Sequence, residues 1–83
     1  MEIESQIQSY IAQNILFSGT EFNYSNDDSF LEEGIIDSLG VMDLVYFIED
    51  YYGVKVDDYE ITPENFDSVN KLSKYVRQKM SSS

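Results

Sequence analysis

The 83-residue sequence contains no cysteine and no histidine. Without cysteine there is no disulfide framework, no thiolate metal site and no cysteine nucleophile. Without histidine the chain also lacks the usual general base near neutral pH and the commonest metal ligand, which removes most hydrolase and zinc chemistry. Positive charge is missing from most of the chain. Residues 1–54 carry eleven Asp and Glu and no Lys or Arg, whereas residues 55–83 carry five acids and all five bases. The net charge of −11 therefore belongs entirely to the front two-thirds. A one-sign surface of this kind repels phosphate backbones and anionic lipid headgroups and attracts electropositive protein faces. Long apolar runs are missing too. The first ten residues, MEIESQIQSY, have two glutamates where a secretory signal would have Lys or Arg, and no stretch approaches a membrane span. These absences describe a cytoplasmic, soluble protein that is a poor enzyme candidate, with protein partners rather than nucleic acid.

Hydrophobic residues make up 42% of the chain, including seven tyrosines and five phenylalanines. That is enough to fold, so the acidity is not that of a disordered tail. The length suits one core and one domain, expected over residues 1–80, with residues 81–83 as a flexible tail.

From Glu2 to Leu16 the apolar residues Ile3, Ile7, Tyr10, Ile11 and Leu16 fall mostly three and four apart, which predicts an amphipathic helix. Ser18 to Ser29 is rich in Ser, Asn, Asp and Gly without a period, a long loop in which Phe22, Tyr24, Phe30 and Leu31 are the expected core anchors. Asp37 offers an N-cap for a second helix, in which Leu39, Met42, Val45 and Ile48 or Phe47 repeat at helical spacing until Gly53 stops it. Val41, Leu44, Tyr46 and Tyr51 make this helix apolar on more than one face, so part of that surface must be exposed and available for docking. After Gly53 the expectation is an irregular link with one short helix near Asp58–Ile61, Pro63 arguing against a helix through that point. Asp67 can cap a last helix built on Val69, Leu72, Tyr75 or Val76 and Met80, with Lys71, Lys74, Arg77 and Lys79 complementing its dipole. The fold class is all-α: a small bundle of three main helices and a short one, with a long loop between the first two.

Residues 33–44, EGIIDSLGVMDL, place Ser38 where the second helix begins. A serine there can be a helix-start residue, a nucleophile, or an attachment point for a group that gains from a helix N-terminus. The nucleophile reading needs an activating base, and the chain has no histidine, no G-x-S-x-G, and lysines only far off in sequence. The attachment reading fits better, because free N–H groups and the positive end of the helix dipole stabilise a phosphate.

The run EEGIIDSLGVMDLVYFIEDYYGVKV, Glu32 to Val56, is similar to the signature of acyl carrier proteins and the related peptidyl and D-alanyl carrier domains. The length, the acidity, the long first loop and an ITPENFDSVNKL stretch extend the resemblance over nearly the whole chain. It implies that Ser38 bears 4′-phosphopantetheine, placed there by a separate phosphopantetheinyl transferase, and that the carrier itself catalyses nothing. The arm ends in a thiol, so a protein without cysteine can hold acyl or aminoacyl groups as thioesters. By the same resemblance Asp37 helps the transferase hold its metal and the helix start. Leu39 packs against partner enzymes, and Asp43, Tyr46, Glu49 and Asp50 meet the basic patches of acyl-loading and acyl-accepting enzymes. The carrier is expected to be a monomer in fatty acid, polyketide or related biosynthesis. Gly40, where carriers of fatty acid synthesis commonly have an acid, and Gly34, four residues before the serine, resemble D-alanyl and secondary-metabolism carriers more closely.

Two other readings compete. An unmodified acidic interaction module would present the second helix to basic partners without using Ser38. A calcium-binding protein is suggested by NYSNDDSFLEE, Asn23 to Glu33, but that segment lacks the sixth-position glycine and the ligand spacing of a calcium loop.

Overall fold

A computed structural model describes residues 2–17 and 22–82. The described residues form four α-helices and one 3-10 turn, with no strand among them: α1 (Ile3–Asn14), α2 (Ser38–Tyr52), the 3-10 turn Asp58–Glu60, α3 (Pro63–Phe66) and α4 (Val69–Ser82). The bundle expected from the periodicity is therefore present.

In α1 the three- and four-residue spacing buries Ile7, Ile11 and Ala12, with Ile3, Tyr10 and Ile15 at the edge of the core. α4 packs against α1, α2 and α3, and contributes Val69, Leu72, Tyr75 and Val76. Arg77 of α4 grips both carboxylate oxygens of Glu4 at 2.7 and 2.8 Å, tying α4 to α1. That hydrogen-bonded cation holds the Glu4 carboxyl below its ordinary value.

The loop before α2 is fastened to the start of α4. Phe30 N–H donates to the Asp67 carbonyl at 2.8 Å, Leu31 N–H to the Asp67 carboxylate at 3.1 Å, and Asn70 N–H to the Asn26 carbonyl at 3.0 Å. The Ser29 hydroxyl also donates to Asp67. Phe30, Ile35 and Ile36 are buried, with the N–H groups of both isoleucines on the Phe30 carbonyl. Between them Gly34 adopts φ 69°, a left-handed conformation that costs a side chain strain and glycine little. Of the expected loop anchors, Phe30 is buried and Phe22 packs on the core, but Tyr24 and Leu31 are exposed.

Three details differ from the sequence expectation, each for a local reason. The link after the 3-10 turn holds a further short helix: no helix runs through Pro63, which is instead the first residue of α3, where a missing N–H costs nothing. The Ser68 hydroxyl accepts from Lys71 N–H at 3.1 Å and so caps α4, while Asp67, expected to do this, is committed to Ser29 and Leu31. Ser81 and Ser82, expected in a frayed tail, continue α4. In α2 Leu39 and Met42, near its start, are exposed, and the buried residues are Leu44, Val45 and Ile48. No helix among the described residues is long and apolar enough to cross a membrane.

Candidate functional site

Ser38 is the first residue of α2, and the side chain of Asp37 accepts from Gly40 N–H at 2.8 Å, so the cap is the aspartate. This division of labour leaves the Ser38 hydroxyl without a protein hydrogen-bond partner among the described residues, and its side chain is exposed. The N–H groups of Ser38 and Leu39 belong to the first turn and have no helical carbonyl to bond, so they and the helix dipole offer partial positive charge beside the hydroxyl. A phosphodiester on Ser38 fits that place even on an acidic protein.

The signature turn is closely packed. Ile36 is 2% exposed, and a Cβ built on Gly40 would lie 2.6 Å from its Cγ2. Glycine at position 40 thus has a steric reason that operates within this chain, independent of the cargo class it suggested in the sequence. Nothing in the local pattern signalled this pair, because the contact crosses the boundary between loop and helix.

Beside Ser38 lies a cleft of about 220 Å³. Its apolar walls come from the loop (Leu31), from α2 (Val41, Met42) and from the α3 region (Ile61, Pro63, Phe66), with Asp67 and Thr62 as polar members. Met42 lies one helical turn from Ser38, so its exposure is exposure to this cleft. The segment around α3, read from the sequence as a link, is a wall of the site.

On the outer side of α2, Leu39, Asp43, Tyr46 and Asp50 follow one another at steps of four, three and four residues and form one exposed stripe. Leu39 is 80% exposed and Tyr46 62%. Glu49, expected among them, is only half exposed, and its carboxylate accepts from Val56 N–H at 3.0 Å, which fastens the chain after Gly53 back onto α2. Tyr10 reaches this helix from α1, donating its hydroxyl to the Asp43 carbonyl at 3.3 Å and stacking on Phe47 with ring centres 4.2 Å apart. The described residues contain no cluster of three acidic side chains suited to a metal ion.

A family model described as phosphopantetheine attachment site matches residues 5–76. The chain belongs to this family. Its members carry 4′-phosphopantetheine covalently on a serine, and this chain is accordingly a phosphopantetheine carrier, with the arm as its cofactor. Comparison with curated proteins gave no match.

Proposed function

We propose that Ser38 bears the 4′-phosphopantetheine arm and that the protein holds acyl or aminoacyl groups on it as thioesters, delivering them to partner enzymes of fatty acid, polyketide or related biosynthesis. The observation that carries the assignment is the position of this hydroxyl: exposed, unpartnered, at a capped helix start and beside an apolar cleft. The sequence has eleven serines. Among those described, Ser68 and Ser73 are buried, Ser29 is bound to Asp67, and Ser38 alone opens a helix.

In the active site of a transferase, the Ser38 oxygen attacks the phosphorus of coenzyme A that carries the pantetheine. A new O–P bond forms, the bond to the other phosphate breaks, and the hydroxyl proton passes to a base of the transferase. This protein's part is to present the hydroxyl: Asp37 fixes the first turn, and Leu39 projects beside it toward the enzyme. Asp43, Tyr46 and Asp50 continue the docking stripe, whereas Glu49 contributes through its hold on Val56.

The cleft suggests where the start of a cargo chain rests. At about 30 Å³ for a water-sized group, 220 Å³ holds roughly seven such groups, which suits a short acyl chain or the apolar part of the arm itself. A protein produced without the modification, incubated with coenzyme A and a broad-specificity transferase, should gain the mass of one phosphopantetheinyl group. Ser38→Ala should gain none. An unmodified acidic interaction module predicts no gain in either protein.

A further inference from the structure

Of the cleft's three walls, the one around α3 has least of its own to hold it in place. Val41 and Met42 stand on a helix whose Leu44, Val45 and Ile48 are in the core, and Leu31 is fastened by the Asp67 carboxylate. α3 has only four residues, far fewer than a helix needs to be stable alone. Its wall is held by a clasp on α4. Glu60 Oε1 accepts from the Tyr75 hydroxyl at 2.9 Å, from the Lys79 ammonium at 3.0 Å and from Asp57 N–H at 3.1 Å. The Glu60 carbonyl accepts from the Asn65 side-chain amide at 2.9 Å, which joins the 3-10 turn and α3 into one piece. Glu60 and Asn65 immediately precede Ile61 and Phe66, the first and last apolar residues of that wall. Tyr75 grips the piece twice, since its hydroxyl holds Glu60 and its buried ring lies 5.2 Å, centre to centre, from that of Phe66.

We propose that the Glu60–Tyr75 clasp sets the length of acyl chain this protein shelters, limiting it to short chains. This rests on Ser38 bearing the arm and on cargo entering the cleft; it adds that the limit is imposed from α4, no residue of which lines the cleft. With the clasp closed, 220 Å³ holds roughly seven water-sized groups. A hexanoyl group, with about seven non-hydrogen atoms, fills that space, and a decanoyl group, with about eleven, exceeds it. Close-packed walls do not stretch continuously, so room for the longer chain requires the piece from the 3-10 turn to α3 to move away from α2. That movement draws Phe66 off Tyr75 and Glu60 away from α4. Lys79 is partly exposed and can turn to water. The Tyr75 hydroxyl, on a residue 4% exposed, would lose its acceptor, and a buried hydroxyl left unpaired is costly. Tyr75 is therefore the residue that resists opening, and a chain too long for the closed cleft leaves its excess outside.

The test loads the full-length protein, through a phosphopantetheinyl transferase, from acetyl, butyryl, hexanoyl, octanoyl and decanoyl coenzyme A. Intact mass confirms each product, and backbone amide resonances are compared with those of the protein bearing the free arm. In the parent, the shifts at Val41, Met42, Ile61 and Phe66 should grow with chain length as far as hexanoyl and then stop. Tyr75→Phe keeps the ring on Phe66 and has no hydroxyl to leave unpaired, so its shifts should go on growing to decanoyl. Glu60→Ala, on the partly exposed turn, should behave in the same way, and it carries the test if the core change in Tyr75→Phe unfolds the bundle. Growth continuing to decanoyl in the parent would overturn the proposal, as would no shifts from any chain. A stop at hexanoyl in the variants too, even with faster hydrogen exchange at residues 60–67, would make the clasp a structural tie only and overturn it as well. A protein that gains no mass overturns the attachment at Ser38 and this proposal with it, and the mass alone tells that failure from the others.

Discussion

Gly40→Ala measures how tightly the turn that presents Ser38 is packed. By helix propensity alone, replacing a helical glycine with alanine stabilises by ~0.8–1 kcal/mol. The structure opposes that gain. The new Cβ would lie 2.6 Å from Ile36 Cγ2, while carbon atoms in contact sit about 3.5–4.0 Å apart, so one of them must move by about 1 Å. Ile36 has little freedom to do so, being 2% exposed with its N–H on the Phe30 carbonyl. Overpacking of this kind costs ~1–3 kcal/mol, so Gly40→Ala should come out near neutral to about 2 kcal/mol destabilising. Ile36→Leu removes the β-branch that makes the clash and keeps the volume, at a cost below ~1.5 kcal/mol. In that background Gly40→Ala should recover its propensity gain, giving a coupling of roughly 1–3 kcal/mol between two residues in contact. Urea unfolding of the four proteins, followed by circular dichroism, provides the cycle. A full propensity gain in the Ile36 protein, or a coupling below ~0.5 kcal/mol, would refute the steric explanation.

The two residues before α4 should separate in hydrogen exchange: Ser68→Ala should cost ~1 kcal/mol and expose the first turn of α4, while Asp67→Ala should cost ~1–2 kcal/mol and loosen residues 29–31 instead. Exposure of the first turn of α4 by Asp67→Ala would contradict the assignment of the cap to Ser68. Glu60 is held below its ordinary value of 4.5, first by the hydrogen bond from Lys79 and then by Asp57 N–H. Its stabilisation is therefore complete above that value and lost as pH falls through the lower folded one. Glu60→Gln should flatten the acid limb of the stability profile, and an unchanged limb would remove Glu60 from it. Burial raises Tyr10 and Tyr75, and raises Tyr52 to about 12, from the usual 10.0. Their contribution is present below pH 10 and lost as pH rises through the folded values, so absorbance titration should show these tyrosines ionising late, together with unfolding. All seven ionising together while the helices persist would contradict their burial.

The sequence made α2 legible through Asp37, the apolar period and Gly53, and it made Ser38 legible through its place at that start. Period alone put Leu39 and Met42 in one repeat with Val45 and Ile48, because a helix apolar on several faces has no single stripe for the period to select. Leu44 lies in the core and Tyr46 in solvent, a choice between two apolar faces that is made by the fold and not by the pattern. Glu49 read as one more surface acid because its partner, Val56 N–H, comes from beyond the end of the helix. Asp67 and Ser68 are both good caps, and the choice between them was made by Ser29, far away in sequence. No helix runs through Pro63, as read, but the short helix that it starts went uncalled because four residues are too few to show a period. The cleft was the least legible feature, since its walls come from three separate stretches that only the fold brings to Ser38.

The central claim is that Ser38 holds the arm. The most direct measurement is fragmentation mass spectrometry of the protein after reaction with coenzyme A and a phosphopantetheinyl transferase, which locates the added group on the chain. One phosphopantetheinyl group on the peptide containing Ile36-Asp37-Ser38-Leu39, assigned to Ser38, is the expected result. An unmodified chain, or the group on any of the other serines, would contradict it.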